Sequence, residues 1–136
     1  MPHRRPQLGT VLEVSLPDGR FAYGRLYRDA AVCFYGEVST VPGHPPLGNR
    51  DFIFCVGIYD DAVNDWPIVG MDSFLADEDS WPPPSGIIDP ISGNRRVYHR
   101  GQIRDAEPSD GAELEPAAVW DKHHIIDRLL VELAPK

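Results

Sequence analysis

No lysine or arginine occurs between Asp51 and Asn94, a stretch that holds nine acids: Asp51, Asp60, Asp61, Asp65, Asp72, Asp77, Glu78, Asp79 and Asp89. No ion pair can form within it. A surface of this sign repels phosphate backbones, because a nucleic-acid binder needs a basic stripe to release counterions, so direct DNA or RNA binding is disfavoured. Long apolar runs are also missing. Nothing approaches membrane-spanning length, and the Arg4-Arg5 start leads into Pro6 and an alternating segment, not the continuous apolar core of a signal peptide. The expected location is the cytoplasm, with no membrane partner. Cysteine is scarce. Cys33 and Cys55 each stand among hydrophobes in a predicted strand and form no Cys-x-x-Cys, so they are expected to be reduced thiols serving as small core residues. Signatures of catalysis are absent too: there is no G-x-S-x-G, no Walker loop, and no HxxxH or HExxH. Carboxylates are so abundant that none is singled out as perturbed, and an enzymatic function has no support.

What is present is an ordinary globular composition. The chain has 136 residues, 42% of them apolar and 25% charged, enough to bury a core as one domain over residues 1–136 without a metal or cofactor. Net charge is −8 and unevenly spread. Residues 1–50 hold six Lys/Arg against four Asp/Glu, four arginines stand at Arg95, Arg96, Arg100 and Arg104, and six acids follow from Asp105 to Asp121.

The segment Leu8 to Gly36 reads as a hairpin with a third short strand behind it. Leu12, Val14 and Leu16 alternate with Glu13 and Ser15, the period of a half-buried strand. Pro17-Asp18-Gly19 supplies the turn, with a fixed proline φ and a glycine able to take positive φ. Ala31 to Tyr35 is the third strand. Val41 to Asn49, VPGHPPLGN, opposes both helix and ladder and is placed as a surface loop. Asp51 to Tyr59 is apolar on both parities, which predicts a central strand covered on two faces. Trp66 to Gly70 predicts an edge strand because Pro67 cannot donate to a ladder. Met71 to Gly86 lacks a period and ends in three prolines, a long acidic loop anchored by Phe74, Leu75 and Trp81. Asp89-Pro90-Ile91-Ser92-Gly93 is a turn, and Arg95–His99 and Gly101–Arg104 follow it as small, arginine-bearing strands. Asp110 with Glu113 suits a capping pair, and Pro116 suits the first position of another helical turn. Asp121 caps a final helix with Ile125, Ile126, Leu129, Leu130 and Leu133 on one face. The sum is an α+β fold: a bent antiparallel sheet of about six strands with the C-terminal helix packed on it.

Two clusters invite a chemical reading. His123 and His124 are adjacent in the first turn of a helix, so their side chains diverge by about one hundred degrees and cannot share an ion. Asp60, Asp61 and Asp65 lie close in a loop, but lack the glycine turn and distal glutamate of a helix-loop-helix calcium site. Among the aromatics, Trp81 stands out, set between an acidic run and three prolines as either a folded-in anchor or an exposed hot spot.

The order Gly9-x-Val11, Leu16-x-Asp18-Gly19, Tyr23-Gly24-Arg25, Phe52-x-Phe54-x-Val56 and Trp66-Pro67-Ile68-Val69-Gly70 resembles the immunity protein 26 family of bacterial polymorphic toxin systems. Gly101-Gln102-Ile103-Arg104-Asp105-Ala106, then Leu114-Glu115-x-Ala117-Ala118-Val119-Trp120 and a terminal helix, is similar to that family's C-terminal half, and its Asp-Pro-x-x-Gly turn stands here as Asp89 to Gly93. The resemblance implies an antitoxin that binds a cognate toxin domain, with no catalytic residues to carry over and no cofactor. An acid-only stretch suits a partner with a basic cleft, and the partner-binding residues expected on this reading are Asp60, Asp61, Asp65, Asp72, Asp77, Glu78, Asp79 and Trp81. Two other readings compete: a small metal-dependent hydrolase using Asp60, Asp61 and Asp65, and a structural adaptor whose acidity serves only solubility.

Overall fold

A computed structural model of the chain describes residues 6–110 and 114–135. The Pro17-Asp18-Gly19 turn joins β1 (Thr10–Ser15) to β2 (Phe21–Leu26). Gly19 has φ +87°, its amide donates to the Leu16 carbonyl at 3.1 Å, and the Leu16 amide donates to the Arg20 carbonyl at 2.9 Å. The next turn is tighter. Asp29 and Ala30 both have positive φ, 63° and 56°, the mirror-image turn that suits the right-handed twist of the flanking strands, and they lead into β3 (Ala31–Tyr35). β4 (Phe52–Ile58) returns antiparallel along β3.

A short helix, α1 (Asp60–Asp65), follows β4, and β5 (Ile68–Met71) then pairs with the outer edge of β1. Trp66-Pro67 therefore leads into an edge strand, as expected. Asp60 to Asp65, expected as a loop, is helical because Ala62 and Val63 are buried in the core and the acids sit in the first turn, where the helix dipole favours them. The chain then builds a separate three-stranded sheet from β6 (Ser85–Ile88), β7 (Arg95–His99) and β8 (Gln102–Asp105). It returns to the first sheet through β9 (Val119–Trp120), which runs parallel to β4, and ends in α2 (Lys122–Glu132). The large sheet has the order β5-β1-β2-β3-β4-β9. The α+β class and the six strands agree with the sequence reading. The parallel β9 and the second sheet do not, since both depend on where residues 85–120 return in space.

The two faces of the large sheet are built differently. One carries the main core, in which Leu12, Val14, Leu26, Val32, Phe34, Phe54, Val56 and Ile58 meet Ala62 and Val63 of α1 and Ile125 and Leu129 of α2. Asp121 caps α2 as its sequence suggests, accepting from the His124 amide at 2.9 Å. Burial of Ile125 and Leu129 stabilises the docking by about 1.5–3 kcal/mol each. Backbones come close here: a Cβ on Gly24 of β2 would lie 2.4 Å from Cγ1 of Val32.

The opposite face is aromatic and partly charged. Val11, Tyr23 and Tyr35 form one cluster, and Tyr27, Ala31 and Cys33 form another. Glu13, expected to face solvent, is buried here because the proline-rich segment 41–50 crosses the sheet, its Gly43 amide donating to Glu13 Oε2 at 2.6 Å. β4 departs from its expectation in the other direction. It is next to the sheet edge, and only Phe54, Val56 and Ile58 are buried.

Cys33 and Cys55 are directly opposite in the β3–β4 register and are joined as a disulfide. The expectation of two free thiols is corrected: strand register, which two isolated apolar segments do not reveal, sets the sulfurs face to face. Pro116, expected to open a helical turn, instead bridges Gly86 beside β6. The capping role of Glu113 and the Arg4-Arg5 start lie outside the described residues. Asp110 accepts from the Glu107 amide at 2.6 Å and from Arg104 at 2.6 and 2.8 Å.

Candidate partner-binding surface

The acidic segment 72–81 lies across the aromatic face and is held at both ends by arginines of β2 and its turn. Arg25 is buried between Tyr23 and Tyr27 in the alternation of β2. Its Nε donates to the Asp72 carbonyl at 2.7 Å, its Nη2 to the Ser73 carbonyl at 2.9 Å, and its guanidinium stacks on Phe74 with 3.7 Å to the ring centroid. Tyr27 closes the other side of Phe74, edge on, at 4.9 Å. Arg28 holds the far end. Its amide donates to the Ser80 carbonyl at 2.9 Å, its Nε to Ser80 Oγ at 2.7 Å, and its Nη2 to the Asp77 carboxylate.

Between these clamps the chain forms a 3₁₀ turn, Asp77–Ser80. Asp77, Glu78 and Asp79 are all exposed, and the carboxylates of Glu78 and Asp79 make no ion pair among the described residues. Trp81 follows, half-buried beneath Arg28 at 5.2 Å. It forms a wall of an open cleft of about 690 Å³ with Pro82, Pro83, Phe52 and Cys55.

Asp72 is not part of that surface. Its carboxylate is buried and accepts from Tyr35 Oη at 2.6 Å, the Gly48 amide at 3.1 Å, and Arg50 Nη1 and Nη2 at 2.8 and 2.9 Å, with Arg25 3.8 Å away. Burial by itself would raise its pKa. The hydrogen bonds from Arg50, Tyr35 and Gly48 and the charge of Arg25 outweigh that and hold it well below the usual carboxylate range. Its partners tie the proline-rich segment to the acidic one, so Asp72, expected at a partner contact, lies inside the fold.

Asp60, Asp61 and Asp65 fall on the other side of the sheet, because α1 packs on the helical face. Asp65 pairs with Lys122 of α2, and Asp61 Oδ1 accepts from the Ala62 amide at 2.9 Å. The eight expected residues therefore divide into three on the helical face, four on the aromatic face and one inside. The arginines that neutralise the acid-only stretch come from residues before it, Arg25, Arg28 and Arg50. Arg96 and Arg104, which follow it, pair instead with Asp105 and Asp110.

Sequence reasoning missed the part Arg25 plays in holding the segment and misplaced Leu75. Arg25 carried a signal, being of the same strand parity as Tyr23 and Tyr27, which makes it a charge on a face that is otherwise apolar. Leu75 carried none. Expected as an anchor beside Phe74 and Trp81, it is fully exposed.

No group of three or more His, Cys, Asp or Glu is placed to hold a metal ion among the described residues, and no helix among them is long and apolar enough to cross a membrane. What the fold offers is a rigidly held acidic surface beside an aromatic-walled cleft, the equipment of a protein-binding module. Residues 7–97 match the family model described as Immunity protein 26, and the chain belongs to this family, whose members are immunity proteins of toxin systems. The match covers the large sheet through β5 and runs on through β6 to Val97 of β7, so the likeness noted for residues 101–120 lies beyond it. No curated protein and no solved structure matches the chain.

Proposed function

We propose that this immunity protein acts by binding, in the cytoplasm of the producing bacterium, a toxin domain whose active cleft is basic, and that the contact is made by Asp77, Glu78, Asp79 and Trp81. The observation that supports this most is the 3₁₀ turn itself: three consecutive carboxylates, two without an ion-pair partner among the described residues, on a segment pinned by Arg25 and Arg28. Fixed charges of one sign steer a basic partner and accelerate encounter, and a surface already ordered loses little entropy on binding. Asp60, Asp61 and Asp65, on the other face, add to the long-range field without touching the same partner surface.

The test is association kinetics with the toxin domain encoded beside this gene. Reversing Asp77, Glu78 and Asp79 to lysine together should slow association roughly 10- to 100-fold at low salt and flatten its salt dependence. An association rate that does not change would refute the placement. Co-expression should rescue growth in the presence of that toxin, and failure to rescue would refute the immunity role itself.

A further inference from the structure

We infer that Leu75 is the apolar anchor of the partner contact, inserted into a pocket of the toxin that has an apolar floor and lysine or arginine walls. This rests on the binding role proposed above and adds to it the residue that governs dissociation. Single exposed hydrophobes are common on protein surfaces and mean nothing by themselves. Leu75 differs in how it is held. At 103% relative exposure it is covered by none of the described residues, although the residues on both sides are fixed. Phe74 is clamped between the Arg25 guanidinium and the Tyr27 ring, and Ala76 opens the 3₁₀ turn that Arg28 ties down through Asp77 and Ser80.

An apolar side chain carried by a rigid backbone is preorganised, so burying it in a partner is opposed by little loss of backbone freedom. The charges specify that partner. Asp77, Glu78 and Asp79 follow Leu75 within four residues and are exposed, so a pocket that receives the leucine is bordered by groups that must tolerate three carboxylates. Basic side chains do so, and acidic ones would be repelled. Trp81, the aromatic that the sequence marks for this role, lies half-buried under Arg28 and cannot protrude as Leu75 does. Ile91 is nearly as exposed, at 96%, but sits at the tip of a turn whose one nearby acid, Asp89, binds the amides of Ile91 and Ser92.

The experiment compares L75A, L75D and I91A with the unmodified chain, using the toxin domain encoded beside the gene as probe and reading association and dissociation separately. Because Leu75 is fully exposed, the variants should keep the melting temperature of the parent. L75A should raise the dissociation rate roughly 10- to 100-fold with association changed less than threefold, L75D should raise it further, and I91A should change neither. If the unmodified chain binds and L75A and L75D dissociate within twofold of it, the anchor is refuted while the acidic contact stands. If the unmodified chain does not bind, both fail.

Discussion

The hydroxyl of Tyr35 on β3 donates a 2.6 Å hydrogen bond to Oδ2 of Asp72, joining the middle of the large sheet to the start of the acidic segment. The same carboxylate accepts from Arg50 and Gly48, so a single side chain holds two crossing segments against one sheet face. Asp72→Ala would leave the Arg25 guanidinium, only 4% exposed, without its carboxylate. The expected loss is about 3 kcal/mol, against about 1 kcal/mol for Tyr35→Phe, which removes one neutral donor. Urea unfolding of the two variants measures the difference, and equal losses would mean that the ionic partners of Asp72 contribute nothing.

Acid should unfold the protein partly through the same group. Asp72 and Asp110 both have carboxyls below the usual range. In Asp72, burial opposes and the Arg50 and Tyr35 bonds prevail; Asp110 is held at about 2 by Arg104 and the Glu107 amide. An unfolded aspartate titrates near about 3.9. A carboxyl depressed in the folded state binds protons more readily once unfolded, so its stabilisation is complete above that value and is lost as pH falls through the folded one. Stability should therefore decline from about pH 4 downward, with Asp72 and Asp110 both contributing to the fall. In Asp72→Asn the fall of unfolding free energy with acidification should be shallower, as read from urea midpoints at a series of pH values. A slope as steep as that of the parent would contradict this.

The Cys33–Cys55 link closes a loop with a sequence separation of 22. In the chain-entropy account a loop of that length is worth about 3 kcal/mol. Excess reductant, or the double change Cys33→Ser with Cys55→Ser, should lower the urea midpoint correspondingly while the fold persists, since the main core lies on the other face of the sheet. A thiol titration of the unreduced, denatured protein should find no free sulfhydryl. Two free thiols would show the sulfurs to be unjoined in solution.

Ala30 has φ +56° in the β2–β3 turn, a conformation that costs a residue with a Cβ about 1–2 kcal/mol relative to glycine. Ala30→Gly should raise stability by about 1 kcal/mol, reduced somewhat by the greater freedom glycine brings to the unfolded chain. A loss of stability in calorimetry would show that the Ala30 methyl does more by contact than its backbone loses to strain.

Most strands were legible because their cause is local. Leu12, Val14 and Leu16 alternate, Gly19 permits the first turn, Pro67 marks an edge, and Asp121 caps the helix whose Ile125 and Leu129 reach the core. Burial on the second face was misread at Glu13 and Phe52–Ile58. Alternation shows which residues share a face, but not which remote segment comes to cover that face. The candidate surface was half legible. Asp77, Glu78 and Asp79 are exposed as their composition suggests, while Asp72 is internal and Asp60, Asp61 and Asp65 lie behind the sheet.

By itself the sequence determined the α+β class, the first five strands in their order along the chain and the capped C-terminal helix, because each rests on short-range periodicity or on the spacing of neighbouring residues. Only tertiary structure decided which acids remain open to a partner, which thiols meet, and that Leu75 stands out where Trp81 folds in. Those outcomes depend on register and on arginines dozens of residues away, and pairing across such distances leaves no trace in the local pattern.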